Sequence, residues 1–342
     1  MNEYLIIPEA SHFQALINSA EKIAIISHTN PDGDAIGSVT GMKSFLTKMG
    51  KSAVIVLPDR YPEYLSFLDI DKKILVYEEN NIGSIDVLKN SELIIALDFN
   101  QLRRADVIEK QVLDSPAKKV LIDHHPDPQG DVFDLVISNT SVSSTSELIY
   151  WLLKSMTGKG AEIDLAIAES LYVGMMTDTN NFSNSVNSAT FEMASDLLST
   201  GVDKEYLQHL VFGGFSEKRM RLMGHLLLNK MVVIEKFNAG YITLSKEEQL
   251  EFDFCEGDAE GFVNMPLNIK GVEISALFTE KSDHIRVSLR SVNDFSVNRL
   301  AKLYFYGGGH ERAAGGKLYI NIDEAGDYFA KSLEQGFNEC MN

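Results

Sequence analysis

Eight side chains of this sequence have the types and spacing to hold cations or move protons: His28, Asp32, Asp34, Asp98, Asp123, His124, His125 and Asp178. The first three lie in His28-Thr29-Asn30-Pro31-Asp32-Gly33-Asp34, where Pro31 and Gly33 force a tight loop. Carboxylates crowded this closely repel one another unless a cation sits between them. The competing reading is a polar turn in which Asp34 caps a helix. In Asp123-His124-His125 the two imidazoles point in opposite directions if the chain is extended. One can then ligate a metal while the other faces a substrate or packs into the fold; a turn with two solvent-facing histidines is the alternative. Imidazole beside carboxylate suits Mn²⁺, Fe²⁺ or Zn²⁺ better than Ca²⁺. Asp98 closes the apolar run Leu93 to Leu97, and a solvated strand-end acid is its plainer explanation. Asp178 sits in Thr177-Asp178-Thr179-Asn180-Asn181, which also suits an Asx-turn or a cap.

These groups need elements to position them, and the first half of the chain supplies alternating strands and helices. Lys22 to Ser27, Ala53 to Leu57, Leu93 to Asp98 and Val120 to Asp123 read as buried strands. Asp34 to Met49 has helical periodicity ending at Gly50, a C′ residue, and Ser144 to Ser155 is a further helix. The alternation predicts an α/β fold with a doubly wound, mainly parallel sheet, whose ligand site lies outside the carboxyl ends of the strands. An apolar helical run, Asp164 to Met176, leads to Asp178. Amphipathic helices follow at Ser188 to Ser199 and Ser216 to Asn229. Strand-like runs then appear at Met231 to Glu235, Gly240 to Leu244, Val272 to Thr279 and His284 to Ser291, with a short helix from Val297 to Tyr304. The expected organisation is a metal-binding domain over residues 1–189, a helical linker over 190–229 and a smaller α/β substrate-binding domain over 230–342.

Four segments thus end a hydrophobic element with Asp or His, and a doubly wound sheet can bring all four to one edge. His28, Asp32, Asp34, Asp98, His124 and Asp178 suffice for two cations if one carboxylate bridges. Two cations about 3.5–4 Å apart stabilise the attacking and leaving oxygens of an in-line phosphoryl displacement. A protein that grips long duplex DNA usually shows a basic stripe, and the net charge of −18 argues against one. It leaves room for a short anionic substrate held by metals or by a local basic pocket. Gly307-Gly308-Gly309-His310 offers such a pocket, because glycines let a backbone approach an anion and aim N–H groups at it. His310, Arg286 and Arg290 could hold a terminal phosphate or stack on a base; a flexible turn with surface cations is the alternative. Arg103 and Arg104 could reach substrate from the cleft wall or lie on the surface. Ser144 and Glu147 have capping-box spacing and read as a plain helix start.

The remaining features are bland. No apolar run approaches the roughly 18 residues of a membrane span. Met1-Asn2-Glu3-Tyr4 lacks the basic start of a secretion signal. Cys255 and Cys340 read as reduced packing residues. A cytoplasmic location is the expectation.

The motifs HTNPDGDAIGS at residues 28–38, LD at Asp98, DHH at Asp123 and TD at Asp178 resemble those of the DHH phosphoesterase superfamily, in order and spacing across residues 22–180. GGGHERAAG from Gly307 to Gly315, with Val287 to Ser291 before it, resembles the DHHA1 substrate-binding domain. Length and layout resemble the nanoRNase/pAp-phosphatase group, which removes nucleotides from very short RNAs and dephosphorylates 3′-phosphoadenosine 5′-phosphate. The resemblance implies that His28 and Asp32 hold one Mn²⁺, that Asp34, His124 and Asp178 hold another, and that Asp98 bridges them. It implies that Asp123 supports the histidines and that His125 lies near the scissile phosphate as a donor or proton shuttle. Asp98, His124 and His125 are then the catalytic groups; Arg103, Arg286, Arg290, Gly308, Gly309 and His310 would contact substrate. The expected partner is a short RNA or nucleotide, with no long duplex DNA and no membrane; the oligomeric state is left open, a homodimer being one option. Cyclic di-AMP or pApA is the nearest rival substrate, although the membrane and sensory segments of the large cyclic di-AMP enzymes are absent. A rival of another class is a nucleotide-binding sensor that holds metals without hydrolysis.

Overall fold

A computed structural model of the chain describes residues 6–69, 72–156, 162–255, 257–292 and 294–341; the leading Met1 to Tyr4 lies outside them. The chain divides into two compact units, one ending at Gly214 and the other beginning at Phe215.

The first unit is a six-stranded parallel sheet. Its strands are β1 (Lys22–Ile26), β2 (Ser52–Leu57), β3 (Leu75–Val76), β4 (Leu93–Leu97), β5 (Lys118–Asp123) and β6 (Leu135–Ser138), in the order β3-β2-β1-β4-β5-β6. Apolar runs such as Leu93 to Leu97 are continuous rather than alternating because helices cover both faces. Ile23, Ile25, Ile95 and Ile122 point into one core, and Ala24, Ile26, Ile94 and Leu121 into the other. The helices are α1 (Ala10–Ser19), α2 (Gly33–Lys48), α3 (Asn81–Asn90), α4 (Glu109–Asp114), α5 (Thr145–Ser155), α6 (Leu165–Asp178), α7 (Ser188–Ser199) and α8 (Lys204–Phe212). The strand order reverses between β1 and β4, the switch point at which open α/β sheets bind ligands. His28 and Asp98 follow these two strands.

α2 and α6 meet backbone to backbone. Gly33, Gly37 and Gly41 recur at every fourth residue of α2 and so form one stripe. A Cβ on Gly37 would lie 2.5 Å from the Ser170 carbonyl oxygen, and one on Gly33 would lie 2.4 Å from the Thr177 side chain. This close approach brings the start of α2, with Asp34, toward the end of α6, with Asp178.

The second unit holds α9 (Glu217–Asn229), β7 (Met231–Ile234), β8 (Ala239–Leu244), α10 (Lys246–Glu251), β9 (Ile274–Glu280), β10 (Ile285–Ser291), α11 (Val297–Tyr304), β11 (Gly308–Gly309), β12 (Ala313–Leu318) and α12 (Ala325–Cys340). Its sheet has the order β11-β12-β10-β9-β8-β7, antiparallel except for the parallel pair β8–β9. α11 and α12 cover one face, packing on Phe278, Val287 and Leu289. On the other face Leu222 and Leu226 of α9 and Phe262 of the 3-10 segment Phe262–Asn268 pack on Ile242, Leu244 and Leu277. The helices expected as a linker are therefore shared: α7 and α8 belong to the first unit and α9 to the second. Among the described residues no helix is long and apolar enough to cross a membrane.

Candidate metal centre

The loop after β1 carries the first ligand types. Asp32, not Asp34, caps α2: its Oδ1 accepts from the amides of Asp34 and Ala35, both at 3.1 Å. Asp34 lies within the first turn and is buried. Asn30 sits in the left-handed region, with φ 51, and its amide is held by both Asp59 oxygens at 2.9 and 2.8 Å. Asp59 is thus an anchor of the loop that spacing alone did not single out.

Asp34 spans the gap to a second helix. Its Oδ2 accepts from the Thr145 amide at 2.6 Å and its Oδ1 from the Ser146 amide at 2.9 Å. These are the first amides of α5, so the carboxylate occupies the positive end of that helix and leaves no vacancy there for a phosphate. Ser144 caps α5 through Glu147 N at 3.0 Å, as the spacing predicts. Glu147 is buried and reaches one residue further back than a capping box requires, accepting from Ser143 N at 2.9 Å and Thr190 Oγ1 at 2.9 Å.

Asp98 ends β4 with φ 68, a left-handed conformation uncommon for a non-glycine residue. Strain of this kind collects at functional sites. The carboxylate is buried; Oδ1 accepts from Thr145 Oγ1 at 2.9 Å, and Oδ2 lies 3.5 Å from His28 Nε2. His124 Nε2 stands 3.8 Å from Asp98 Oδ1 and 3.5 Å from Asp178 Oδ2. Asp178 is the last residue of α6 and is partly exposed.

Ligand atoms of His28, Asp32 and Asp98 gather within 4.8 Å of one another, as do those of Asp34, Asp98 and His124. Asp98 is common to both groups. The electrostatics are unfavourable as they stand. Burial, then the charges of Asp98 and Asp178, push the Asp34 carboxyl well above its ordinary range. Burial opposes ionisation of Asp98, but the contact with His28 and the charges of His125, His28 and His124 outweigh it and hold the group low. His28 is likewise opposed by burial and still raised, chiefly by Asp98.

A proton inventory at His28 tests whether a cation fits. Its Nδ1 lies 2.8 Å from the Thr29 carbonyl oxygen, which can only accept, so Nδ1 carries the hydrogen. In the neutral ring the Nε2 lone pair then faces the Asp98 carboxylate, and that buried nitrogen has no hydrogen-bond partner. Lone pair against carboxylate is a repulsive arrangement that a divalent cation converts into ligation. A backbone carbonyl fixing the far nitrogen is the usual support of a metal-bound histidine. The donor set fits a divalent metal.

The triplet after β5 divides. Asp123, fully buried, binds His125, with Oδ1 2.7 Å from Nδ1 and Oδ2 accepting the His125 amide at 3.1 Å. A carboxylate only accepts, so His125 Nδ1 donates and Nε2 is left as an acceptor. Arg104 donates to it, its guanidinium lying 3.3 Å from Nε2. The two arginines after Asp98 therefore separate: Arg104 is half-buried at the site, whereas Arg103 is exposed.

In the second unit Arg286 and Arg290 lie on one face of β10, Arg286 exposed and Arg290 half-buried. The glycine run answers first to strand packing. A Cβ on Gly307 would lie 1.9 Å from the Gly315 carbonyl oxygen, and one on Gly309 would lie 2.6 Å from that of Ala313. The amides of Gly307, Gly309 and His310 are bonded to Ala301 O, Asn298 Oδ1 and Ala313 O, so they do not form the open ring of N–H donors expected from three glycines. Gly308 is the glycine with space around it.

Residues 22–175 match the DHH family, N-terminal domain, and residues 238–335 match the DHHA1 domain. The chain is 30% identical to the Bacillus subtilis bifunctional oligoribonuclease and PAP phosphatase NrnA over 315 residues, covering 90% of this chain and 93% of that protein. An exopolyphosphatase-related protein from Bacteroides fragilis superposes with a TM-score of 0.92 at 40% identity over 98% of each chain. The Listeria monocytogenes cyclic-di-AMP phosphodiesterase PdeA is 27% identical, over 91% of this chain and 47% of its own length.

Proposed function

The chain belongs to the DHH phosphoesterase family, and from that premise we propose that it is a metal-dependent phosphoesterase that removes mononucleotides from short oligoribonucleotides and dephosphorylates 3′-phosphoadenosine 5′-phosphate. The observation that carries the reading is the Asp98 carboxylate, shared between the His28–Asp32 group and the Asp34–His124 group. One bridging carboxylate with nitrogen and oxygen donors on either side is the arrangement two divalent cations need. The proposed ligands are His28 and Asp32 on one side, Asp34, His124 and Asp178 on the other, and Asp98 between. Mixed imidazole and carboxylate donors suit Mn²⁺, Fe²⁺ or Zn²⁺, and Mn²⁺ is the ion proposed.

Bound cations would neutralise the phosphate and bring the pKa of water down toward neutrality. The chain's own residues do the rest. Asp34 and Thr145 fix the donors by hydrogen bonds that leave them little freedom. Asp123 orients His125 through Nδ1, and Nε2 is able to take a proton and pass it to the leaving oxygen once Arg104 turns from it to the phosphate. Arg104, on His125 Nε2, brings a permanent positive charge to the place where phosphate charge develops. Arg286, Arg290, Gly308, Gly309 and His310 are proposed to engage the nucleotide, and Arg103 to approach it from solvent.

A single panel tests this. Purified protein with Mn²⁺ is given 3′-phosphoadenosine 5′-phosphate, pApA, RNA of two to five nucleotides, cyclic di-AMP and polyphosphate. The reading requires turnover of the first substrate or of the short RNAs. Cleavage of polyphosphate alone would remove the nucleotide specificity, and no hydrolysis of any substrate would favour a non-hydrolysing sensor.

A further inference from the structure

The sheet of the second unit is only half covered on the face that receives α9. Neither core cluster of that unit includes a described side chain from this face of β10 or β12. Instead the strands alternate buried Ile285, Val287 and Leu289 with Arg286, Ser288 and Arg290, and buried Ala314 and Leu318 with Gly315 and Lys317. The register sets Arg286 directly opposite Lys317. In a chain of net charge −18 these three cations on one face are a local exception.

At the end of the same strands lies an aromatic group. Tyr319 follows Leu318, and its ring centroid lies 6.3 Å from that of His284 and 6.0 Å from that of Tyr306. Tyr306 and Tyr319 are 79% and 63% exposed, which leaves two large rings in water within contact of each other. Tyr306 also has φ 46, immediately before the glycine run. Glycine would hold that backbone without strain, so the tyrosine needs a reason outside the turn. The acids at this end are engaged: Asp283 is bonded to His284 Nδ1 at 2.8 Å, and Glu280 accepts the Lys246 amide at 2.8 Å.

We propose that Tyr306, Tyr319 and His284 form a stacking platform for the bases of a short single-stranded oligonucleotide whose phosphates cross Arg286 and Lys317. Every base has a face to stack, so aromatic rings beside a cationic track bind single strands with little sequence preference. The platform rests on the nucleotide reading above and narrows it. From Ala313, paired with Arg290, to Tyr319 is six residues of strand, about 20 Å at about 3.3 Å per residue. A mononucleotide held at Arg290 and His310 does not reach Tyr319; an oligonucleotide does. The site therefore favours oligomers over 3′-phosphoadenosine 5′-phosphate.

The test compares the wild type with the double substitution Tyr306→Ala, Tyr319→Ala and with Tyr306→Phe, Tyr319→Phe. Values of kcat/KM are measured on 3′-phosphoadenosine 5′-phosphate and on RNA of two, three and five nucleotides. Loss of one stack should lower kcat/KM on the longer RNAs by about 5- to 150-fold, the equivalent of ~1–3 kcal/mol per base. Turnover of 3′-phosphoadenosine 5′-phosphate should fall by less than that of the longer RNAs, and the phenylalanine variant should behave as wild type. Equal loss on all substrates, or none on the longer RNAs, overturns the platform. Binding of a five-nucleotide RNA carrying 2-aminopurine, read by fluorescence quenching in EDTA, separates the platform from the hydrolytic reading. Quenching by the wild type but not the alanine variant supports stacking even if no substrate is cleaved, and equal quenching by both overturns it.

Discussion

Thr145 is the residue through which the candidate centre can be weakened without touching a proposed ligand. It is fully buried at the first position of α5, its amide on Asp34 and its hydroxyl on Asp98 at 2.9 Å. Thr145→Val keeps the amide bond and the branched shape and deletes only the hydroxyl donor. A hydrogen bond to a charged group contributes about 1.5–3 kcal/mol, and a buried carboxylate cannot recruit bulk water in its place. If the hydroxyl fixes Asp98 for ligation, the substitution should weaken Mn²⁺ binding by about 10- to 100-fold, the usual effect of removing a partner that orients a ligand. Thr145→Ser restores the donor and should stay within about threefold of wild type. Calorimetric titration of EDTA-stripped protein with Mn²⁺ gives the affinities, and urea denaturation checks that the fold persists. Wild-type affinity in Thr145→Val refutes the reasoning, as does a Thr145→Ser variant equally impaired.

Gly174→Ala would place a methyl 1.9 Å from Ser146 Oγ and 2.8 Å from Asp34 Oδ1; overpacking should cost about 1–3 kcal/mol in urea denaturation and lower Mn²⁺ affinity by moving Asp34. Arg104→Ala should reduce kcat at least about 10-fold by releasing His125, while Arg103→Ala stays near wild type in the same steady-state assay. Burial favours the neutral form of Glu248, but Ser245, His225 and Lys230 outweigh it and hold its pKa at about 2. A depressed carboxyl stabilises the fold above its unfolded value of 4.5 and loses that contribution as pH falls toward 2. Glu248→Gln should therefore be less stable than wild type at pH 7 in thermal melts, and the difference should shrink steadily below pH 4.5.

The strands of the first unit were legible because both faces of its sheet are covered, which makes Leu93 to Leu97 or Val120 to Ile122 continuously apolar. The candidate ligands stood out in the sequence because His28, Asp98 and His124 follow such runs directly, with Asp32 and Asp34 close behind the first. What could not be read were contacts made across the chain. The glycines at 33, 37 and 41 matter only once α6 is known to lie against them. Thr145 looked like the ordinary start of a helix, since its hydroxyl finds Asp98 47 residues away in sequence. Arg103 and Arg104 are identical in type and adjacent, and the 3-10 turn that holds them decides which faces His125. The glycine run was read for its openness to an anion, whereas three of its neighbouring amides are spent on pairing β11 with its surroundings. β3, with two residues, is too short to carry a pattern.

Each unit has its own apolar interior, and none of the proposed metal ligands lies beyond Asp178. We expect heat or denaturant acting on such a chain to meet two cooperative blocks rather than one. Cation binding is linked to the first block alone and should raise its transition by mass action while the second stays where it was. A calorimetric trace recorded with and without Mn²⁺ should therefore pull apart or merge two peaks, and the enzyme's tolerance to chelators becomes a property of 214 residues rather than of the whole polypeptide.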